Sequence, residues 1–155
     1  MVSFAALRIL LTKIAVEYMY TKHFDVKIVF LYGYLEENAY MRQPEGFQDN
    51  SGRVCKWKKS LYGLEQSSRC WNEQFVECLE IFNMESTTVV QCIFISHDNG
   101  EPLLRALYVD DGLVASESKG RIDSLMNHLE KGVKITVDPL DVFLALRIEK
   151  LRMEE

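Results

Sequence analysis

The stretch Leu103–Ser116, "LLRALYVDDGLVAS", sets two apolar runs on either side of two adjacent aspartates. Each run has the length and residue types of a buried strand. Asp110-Asp111-Gly112 between them is turn chemistry, so the stretch predicts a hairpin. Two like charges at the end of an apolar strand have two explanations. They are local turn formers, or they hold something doubly positive.

Working outward, "QCIFIS", "HDNGE" and "PLLRALYV" form a second hairpin signal, with Asp98-Asn99-Gly100 as the turn. Upstream, "HFDVKIVFL" reads as a strand leading into a turn or short helix. "AYMRQPEGF" reads as a short strand stopped by Pro44 and Gly46, and "GRVCKWKK" as another strand. Helical spacing predicts a helix from about Phe4 to Tyr20, with Phe4, Leu7, Leu11, Ile14 and Tyr18 on one face. A second helix is expected from Ser67 to Phe82, with the face Trp71, Phe75, Cys78, Leu79 and Phe82. A third is marked by Ile122, Leu125, Met126 and Leu129. "DVFLALRIEKL" alternates, placing Val142, Leu144, Leu146 and Ile148 on one face of a strand. Helices mixed with hairpins predict an α+β fold, an antiparallel sheet backed by helices.

With 155 residues and 48% hydrophobic content, the chain has the size of one ordinary domain and enough apolar side chains for a core. A net charge of −5 argues against a broadly basic nucleic-acid surface but leaves room for a local patch. Lys56, Lys58 and Lys59 are the basic cluster, suited to phosphates or to a solvated strand edge. The four cysteines have neither C-x-x-C spacing nor a histidine at zinc spacing, so buried free thiols in a reducing compartment are expected. His23, His97 and His128 are scattered and read as solvated or locally bonded. No apolar run approaches the roughly 18 residues of a membrane span.

A third acid changes the weight of the aspartate pair. Asp25 ends the apolar strand of "FDVKIVF". Beside the Leu103–Val109 strand it would converge on Asp110 and Asp111. Three carboxylates in one place repel unless cations neutralise them. Hard divalent ions with oxygen ligands, Mg²⁺ above all, are the natural partners.

"FDVKIVFLYGYLEENAYMRQPEGF", "RVCKWKKSLYGLEQSSRCWNEQF", "LYVDDGLVAS" and "VFLALRI", in this order, resemble successive blocks of the reverse transcriptase of Ty1/copia-type LTR retrotransposons. The resemblance runs from Val2 to Arg152. It implies a polymerase palm with a ferredoxin-like antiparallel sheet and partial fingers. It implies an RNA-directed DNA polymerase acting on an RNA or DNA template-primer and deoxynucleotides, with Mg²⁺ or Mn²⁺ as cofactor. Asp25 matches the first catalytic, metal-binding aspartate, and Asp110 and Asp111 match the signature pair. Phe30 matches the aromatic position that excludes a ribose 2′-hydroxyl, although a plain core role suits it as well. Gln66 matches a glutamine lining the nucleotide and template. Arg69 reads as a phosphate contact or as a surface arginine at a helix start.

The chain departs from the family pattern at several points. Ile28 and Val29 replace Thr and Ala in a turn that would cradle a triphosphate. Glu65 stands for a lysine and Ser68 for a proline. "TVDPL" lacks the lysine of the corresponding family segment. The resemblance leads one to expect a single-domain fragment over residues 1–155, without thumb, RNase H, integrase or protease. It expects a cytoplasmic protein, with a virus-like particle or the nucleus as alternatives, and leaves the oligomeric state open. The competing expectation is a catalytically inactive retroelement remnant with at most weak nucleic-acid or protein binding.

Overall fold

The computed structural model describes residues 3–88, 90, 92–96, 100 and 102–149. The chain divides into two compact units, residues 1–27 with 78–155, and residues 28–77.

The first unit is built on a six-stranded sheet. Its strands are β1 (Tyr20–Val26), β4 (Glu85–Ser86), β5 (Ile93–Ser96), β6 (Leu103–Tyr108), β7 (Asp111–Ser116) and β8 (Ile135–Asp138). They lie in the order β4-β5-β6-β7-β1-β8, and every neighbouring pair is antiparallel. β2 (Tyr40–Arg42) and β3 (Val54–Lys56) pair separately in the second unit. A last small hairpin joins β9 (Val142–Phe143) to β10 (Leu146–Arg147). With three α-helices among the described residues, the fold is α+β as the mixed pattern predicts.

The helix α1 (Phe4–Val16) starts where Ser3 caps it: its hydroxyl accepts the Ala6 N–H at 3.2 Å. Such a cap is worth about 1 kcal/mol. The buried face is Ala6, Leu7, Leu10 and Ile14, packed on Leu104, Ala106, Leu113 and Ala115 of β6 and β7. This face is turned relative to the predicted one, and Phe4 and Tyr18 are exposed. The helix ends at Val16, so Tyr18, with φ of 50°, no longer shares its face. Ile9 and Val16 are also exposed on α1.

Period-2 alternation gives the sheet a second inner face, carrying Phe24, Leu103, Arg105 and Val114. The helix α3 (Lys119–Gly132) lies against β7 and β1, burying Ile122, Leu125, Met126 and Leu129. Lys22 and Asp123 close its edge with an ion pair at 2.7 Å. Each fully buried aliphatic or aromatic side chain of this kind contributes roughly 1.5–3 kcal/mol. Arg105 is fully buried too, its guanidinium carbon 4.3 Å from the centre of the Phe94 ring, and burial pushes its pKa down to about 9.

The helix α2 (Ser67–Leu79) stops short of the expected Phe82, which lies in the 3-10 turn Glu80–Phe82. Over its part in the second unit the expected aromatic face forms, with Trp71 and Phe75 buried and their rings 4.9 Å apart. Gly33 passes so close to α2 that a Cβ there would sit 2.8 Å from the Cys70 Cβ.

Other sequence expectations are corrected. The turn of the aspartate hairpin is Val109–Asp110, while Asp111 and Gly112 lie inside β7. Gly112 is there for room: a Cβ at this site would stand 2.0 Å from Cζ of Phe24. The single strand expected over "DVFLALRIEKL" is instead the β9–β10 hairpin, folded back at Leu144 and Ala145. The Asp98–Asn99 turn lies outside the described residues, and Gly100 at its edge has φ of 79°. The four cysteines are free thiols, but only Cys70 is buried as expected, while Cys55, Cys78 and Cys92 are half-buried.

Candidate active site

β1 pairs with β7 in a register that sets Asp25 opposite Asp111, His23 opposite Leu113 and Thr21 opposite Ala115. Cross-strand partners share a face, so the side chains of Asp25 and Asp111 leave the sheet on the same side. The turn joins them through the backbone, where the Val26 N–H donates to the Asp110 carbonyl at 2.9 Å. Three aspartates from one strand and one hairpin thus stand at one end of the sheet.

The turn itself is unusual. Tyr108 and Asp111 are the last paired residues, so the loop has two members. Val109, the first, has φ of 58°, and Asp110 keeps a negative φ. That pattern is a II′ turn, whose first position normally takes glycine. A β-branched residue there is strained by roughly 1–3 kcal/mol.

Both paired carboxylates are bonded inside the chain. The Lys27 ammonium donates to Asp25 Oδ1. Its pKa is raised, chiefly by that hydrogen bond, with the charges of Asp25, Asp138 and Asp110 adding to it. The His23 Nε2 lies 3.2 Å from Asp111 Oδ1. The Asp25 and Asp111 side chains keep 28% and 34% of their surface open, enough for a ligand to reach them. The donor chemistry, carboxylate oxygens at a solvent-facing strand end, fits a hard divalent cation. Among the described residues, though, no group of three or more His, Cys, Asp or Glu side chains is gathered closely enough to hold one. Other ligands would have to complete the set.

The remaining predicted residues, Phe30, Gln66 and Arg69, belong to the second unit. Phe30 is nearly buried, in the 3-10 turn Val29–Tyr32, its ring edge-on to Tyr62 with centroids 4.5 Å apart. Its carbonyl accepts the Ser60 hydroxyl. Gln66 is half-buried, and its carbonyl accepts the Cys70 N–H at 3.0 Å in the first turn of α2. Arg69 is paired with Glu37, whose charge is the main cause of its raised pKa. Of the lysine cluster, Lys59 stacks 4.0 Å over the Tyr34 ring. Ile28 precedes the 3-10 turn in a left-handed conformation with φ of 57°, while Val29 is fully buried. The two departures from the family pattern thus fall on a strained, exposed position and on a packed one.

Sequence reading gave His23 only a solvated or locally bonded role and passed over Lys27. For His23 the available signal was its offset, two residues before Asp25 on one strand and hence on the same face. Lys27 follows the strand in a turn, where no such periodicity applies.

The family model described as reverse transcriptase (RNA-dependent DNA polymerase) matches residues 1–152. The retrovirus-related Pol polyprotein from transposon TNT 1-94 of Nicotiana tabacum is 33% identical over 155 residues, covering 97% of this chain and 12% of that protein. The Pol polyprotein from transposon RE1 of Arabidopsis thaliana is 26% identical, over 84% of this chain and 9% of the relative. A putative transposon Ty5-1 protein of Saccharomyces cerevisiae is 29% identical, over 81% of this chain and 42% of its own length. The chain therefore spans about a tenth of the Pol polyproteins and less than half of the Ty5-1 protein. With its antiparallel sheet, its "YVDD" hairpin and its match along nearly the whole length, the chain belongs to the reverse transcriptases of Ty1/copia-type retrotransposons.

Proposed function

We propose that this chain carries the catalytic palm of an RNA-directed DNA polymerase, with residues of partial fingers in the second unit. Its substrates would be a template-primer of RNA or DNA and a deoxynucleoside triphosphate. The single observation that carries this reading is the β1–β7 register, with Asp25 opposite Asp111 and the Val26 N–H on the Asp110 carbonyl. In the reaction the primer 3′-oxygen bonds to the α-phosphorus and pyrophosphate leaves with the cleaved P–O bond. The 3′-hydroxyl proton passes to solvent. Asp25, Asp110 and Asp111 would hold Mg²⁺ or Mn²⁺. Bound there, the ions lower the pKa of the attacking hydroxyl and offset charge on the leaving group. Nucleotide phosphates would supply the ligands that the three aspartates do not. Phe30, Gln66 and Arg69 are proposed to act on the nucleotide, and Arg69 must first give up Glu37 to do so.

A second reading is a catalytically silent member of the family. What favours it is the state of the carboxylates, with Asp25 tied to Lys27 and no three-ligand group assembled among the described residues.

Primer extension on poly(rA)/oligo(dT) with Mn²⁺, beside direct Mn²⁺ binding, tests both. The first reading expects short, non-processive products that Asp110→Asn abolishes, with Mn²⁺ affinity lowered by about tenfold or more. Saturable Mn²⁺ binding without any product supports the silent reading. Binding unchanged in both Asp25→Asn and Asp110→Asn would show that the "YVDD" segment is only a turn.

A further inference from the structure

On β1, His23 stands two residues before Asp25 and shares its face. Its cross-strand partner is Leu113, so Asp111 is its diagonal neighbour across the β1–β7 pair. Diagonal neighbours of this kind are within reach of a long or aromatic side chain. His23 makes that reach, with Nε2 3.2 Å from Asp111 Oδ1. An ionised carboxylate can only accept, so Nε2 carries the proton and donates.

The imidazole is well held. Its side chain is 15% exposed, against 34% for Asp111. The Phe143 ring meets it edge-on at 5.7 Å and 81°, and Phe143 is itself buried in the core under α1. The donor is thus anchored by packing, while the carboxylate it bonds is open. One oxygen of Asp111 is occupied, and Oδ2 is left for a ligand.

We infer that His23 is a positioning residue for the metal-binding carboxylates: by bonding Oδ1 it orients Asp111 and leaves the second oxygen to the ion that Asp25, Asp110 and Asp111 would hold. The inference rests on the proposed function and adds a residue to it. Its warrant is general. Carboxylates that ligate metals are themselves held by hydrogen bonds from an outer layer, and loss of such a bond typically costs 10–100-fold in metal affinity. A carboxylate on a strand end is otherwise free to rotate about its side-chain torsions, and that freedom is lost when the ion binds.

The test uses the full chain and Mn²⁺ alone, with affinity read by titration and folding checked by thermal melting. His23→Leu keeps an apolar body against Phe143 and removes the donor. The expected result is Mn²⁺ affinity about tenfold weaker, with a melting midpoint near wild type. His23→Gln restores an N–H donor and should recover most of the affinity. His23→Leu should add little in an Asp111→Asn background, which a purely structural role would not produce. Equal affinity in wild type and His23→Leu overturns the inference. So does a His23→Gln variant as weak as His23→Leu, or an undiminished loss in the Asp111→Asn background. If His23→Leu does not fold, the shorter His23→Asn, which cannot reach Asp111, takes its place with the same expectations. Failure of the underlying reading looks different: Asp25→Asn and Asp110→Asn would then leave Mn²⁺ binding unchanged, and both proposals fall together.

Discussion

Two hairpins of the first unit close with the same economy and different support. β6–β7 turns through Val109 and Asp110, and β9–β10 turns through Leu144 and Ala145. Both loops hold non-glycine residues at positive φ: Val109 at 58°, Leu144 at 49° and Ala145 at 62°. Tight turns between strands ask for Asn or Gly at such positions. The first hairpin resists this strain with a ladder from Leu103–Ser116 to Tyr108–Asp111, in the middle of the sheet. The second has the pairs Leu146–Phe143 and Arg147–Val142, extended by the Ile148 N–H donated to the Asp141 carbonyl at 2.8 Å. The first turn also presents Asp110 to the proposed site, whereas the second carries no polar side chain. Strain stored in a turn is tolerated where a long ladder over-determines it, and it is informative about function only where the turn also carries chemistry.

The most damaging way to break the first hairpin is at Gly112. The Phe24 ring lies where a side chain at this position would go, and Phe24 is fully buried. Gly112→Ala forces the ring out of its place, at an expected cost of about 2–3 kcal/mol in urea unfolding. Phe24→Leu shortens the obstacle and should make the second substitution cheaper. In the double variant the loss should therefore fall short of the sum of the two single losses. Strict additivity would mean that Phe24 is not what keeps Gly112 bare.

This site shows how far the sequence could be read. The "YVDD" hairpin and its closeness to the Asp25 strand were legible, because apolar runs of strand length flank turn residues and Asp25 ends a similar run. The neighbour of that strand was not, since it is β7 and not the expected Leu103–Val109 strand. Nor was the exact turn. Asp-Asp-Gly looks like turn chemistry by composition, and only the packing of Phe24 reveals that Gly112 is a strand glycine. The alternation in "DVFLALRIEKL" misled for a related reason. Leu144, Leu146 and Ile148 all lean on the core, so their pattern resembles one strand, although the chain reverses between the first two. Arg105 was invisible, since an arginine inside "LLRALY" gives no sign that its whole length is buried. Of the proposed site, the three aspartates were found through spacing and family resemblance. The specific role of His23 escaped because its bond to Asp111 depends on register, which periodicity alone does not supply, while Lys27 was passed over although its bond to Asp25 is local.

The second hairpin should be improved by the substitution its geometry asks for. Ala145 is exposed, and its φ of 62° lies in the region that glycine enters freely. Ala145→Gly is expected to stabilise the chain by about 1 kcal/mol, a rise of about 2–4 °C in melting temperature. Leu144 should not respond in the same way. It packs against the core cluster, so Leu144→Gly relieves strain and loses burial together. A drop in melting temperature for Ala145→Gly would show that the β9–β10 turn is not strained as described.

The loop between β2 and β3 meets the same closure problem with length and side-chain bonds instead of strain, and the smallest predicted effect lies there. Its positive φ values fall on Gly46, Asn50 and Gly52, residue types suited to them. Asp49 gathers the loop: it accepts from Gln43 Nε2 at 2.8 Å, from the Ser51 N–H at 3.1 Å, from the Ser51 hydroxyl and from Arg53. The Ser51 hydroxyl is the main cause of a pKa held well below the ordinary carboxylate range, followed by Gln43. A native pKa below the unfolded value of about 3.9 means that the unfolded chain binds more protons in this window. The resulting stability is fully present above about pH 4 and is lost as the pH falls through the depressed native value. Asp49 is exposed, so solvent screening keeps the effect on global stability small. Carboxyl-carbon NMR is the sensitive measurement. At about pH 3 Asp49 should remain ionised while an ordinary aspartate is mostly protonated, and Ser51→Ala should raise its midpoint more than Gln43→Ala. An Asp49 that titrates with the other exposed carboxylates would show that these bonds do not hold the loop in solution.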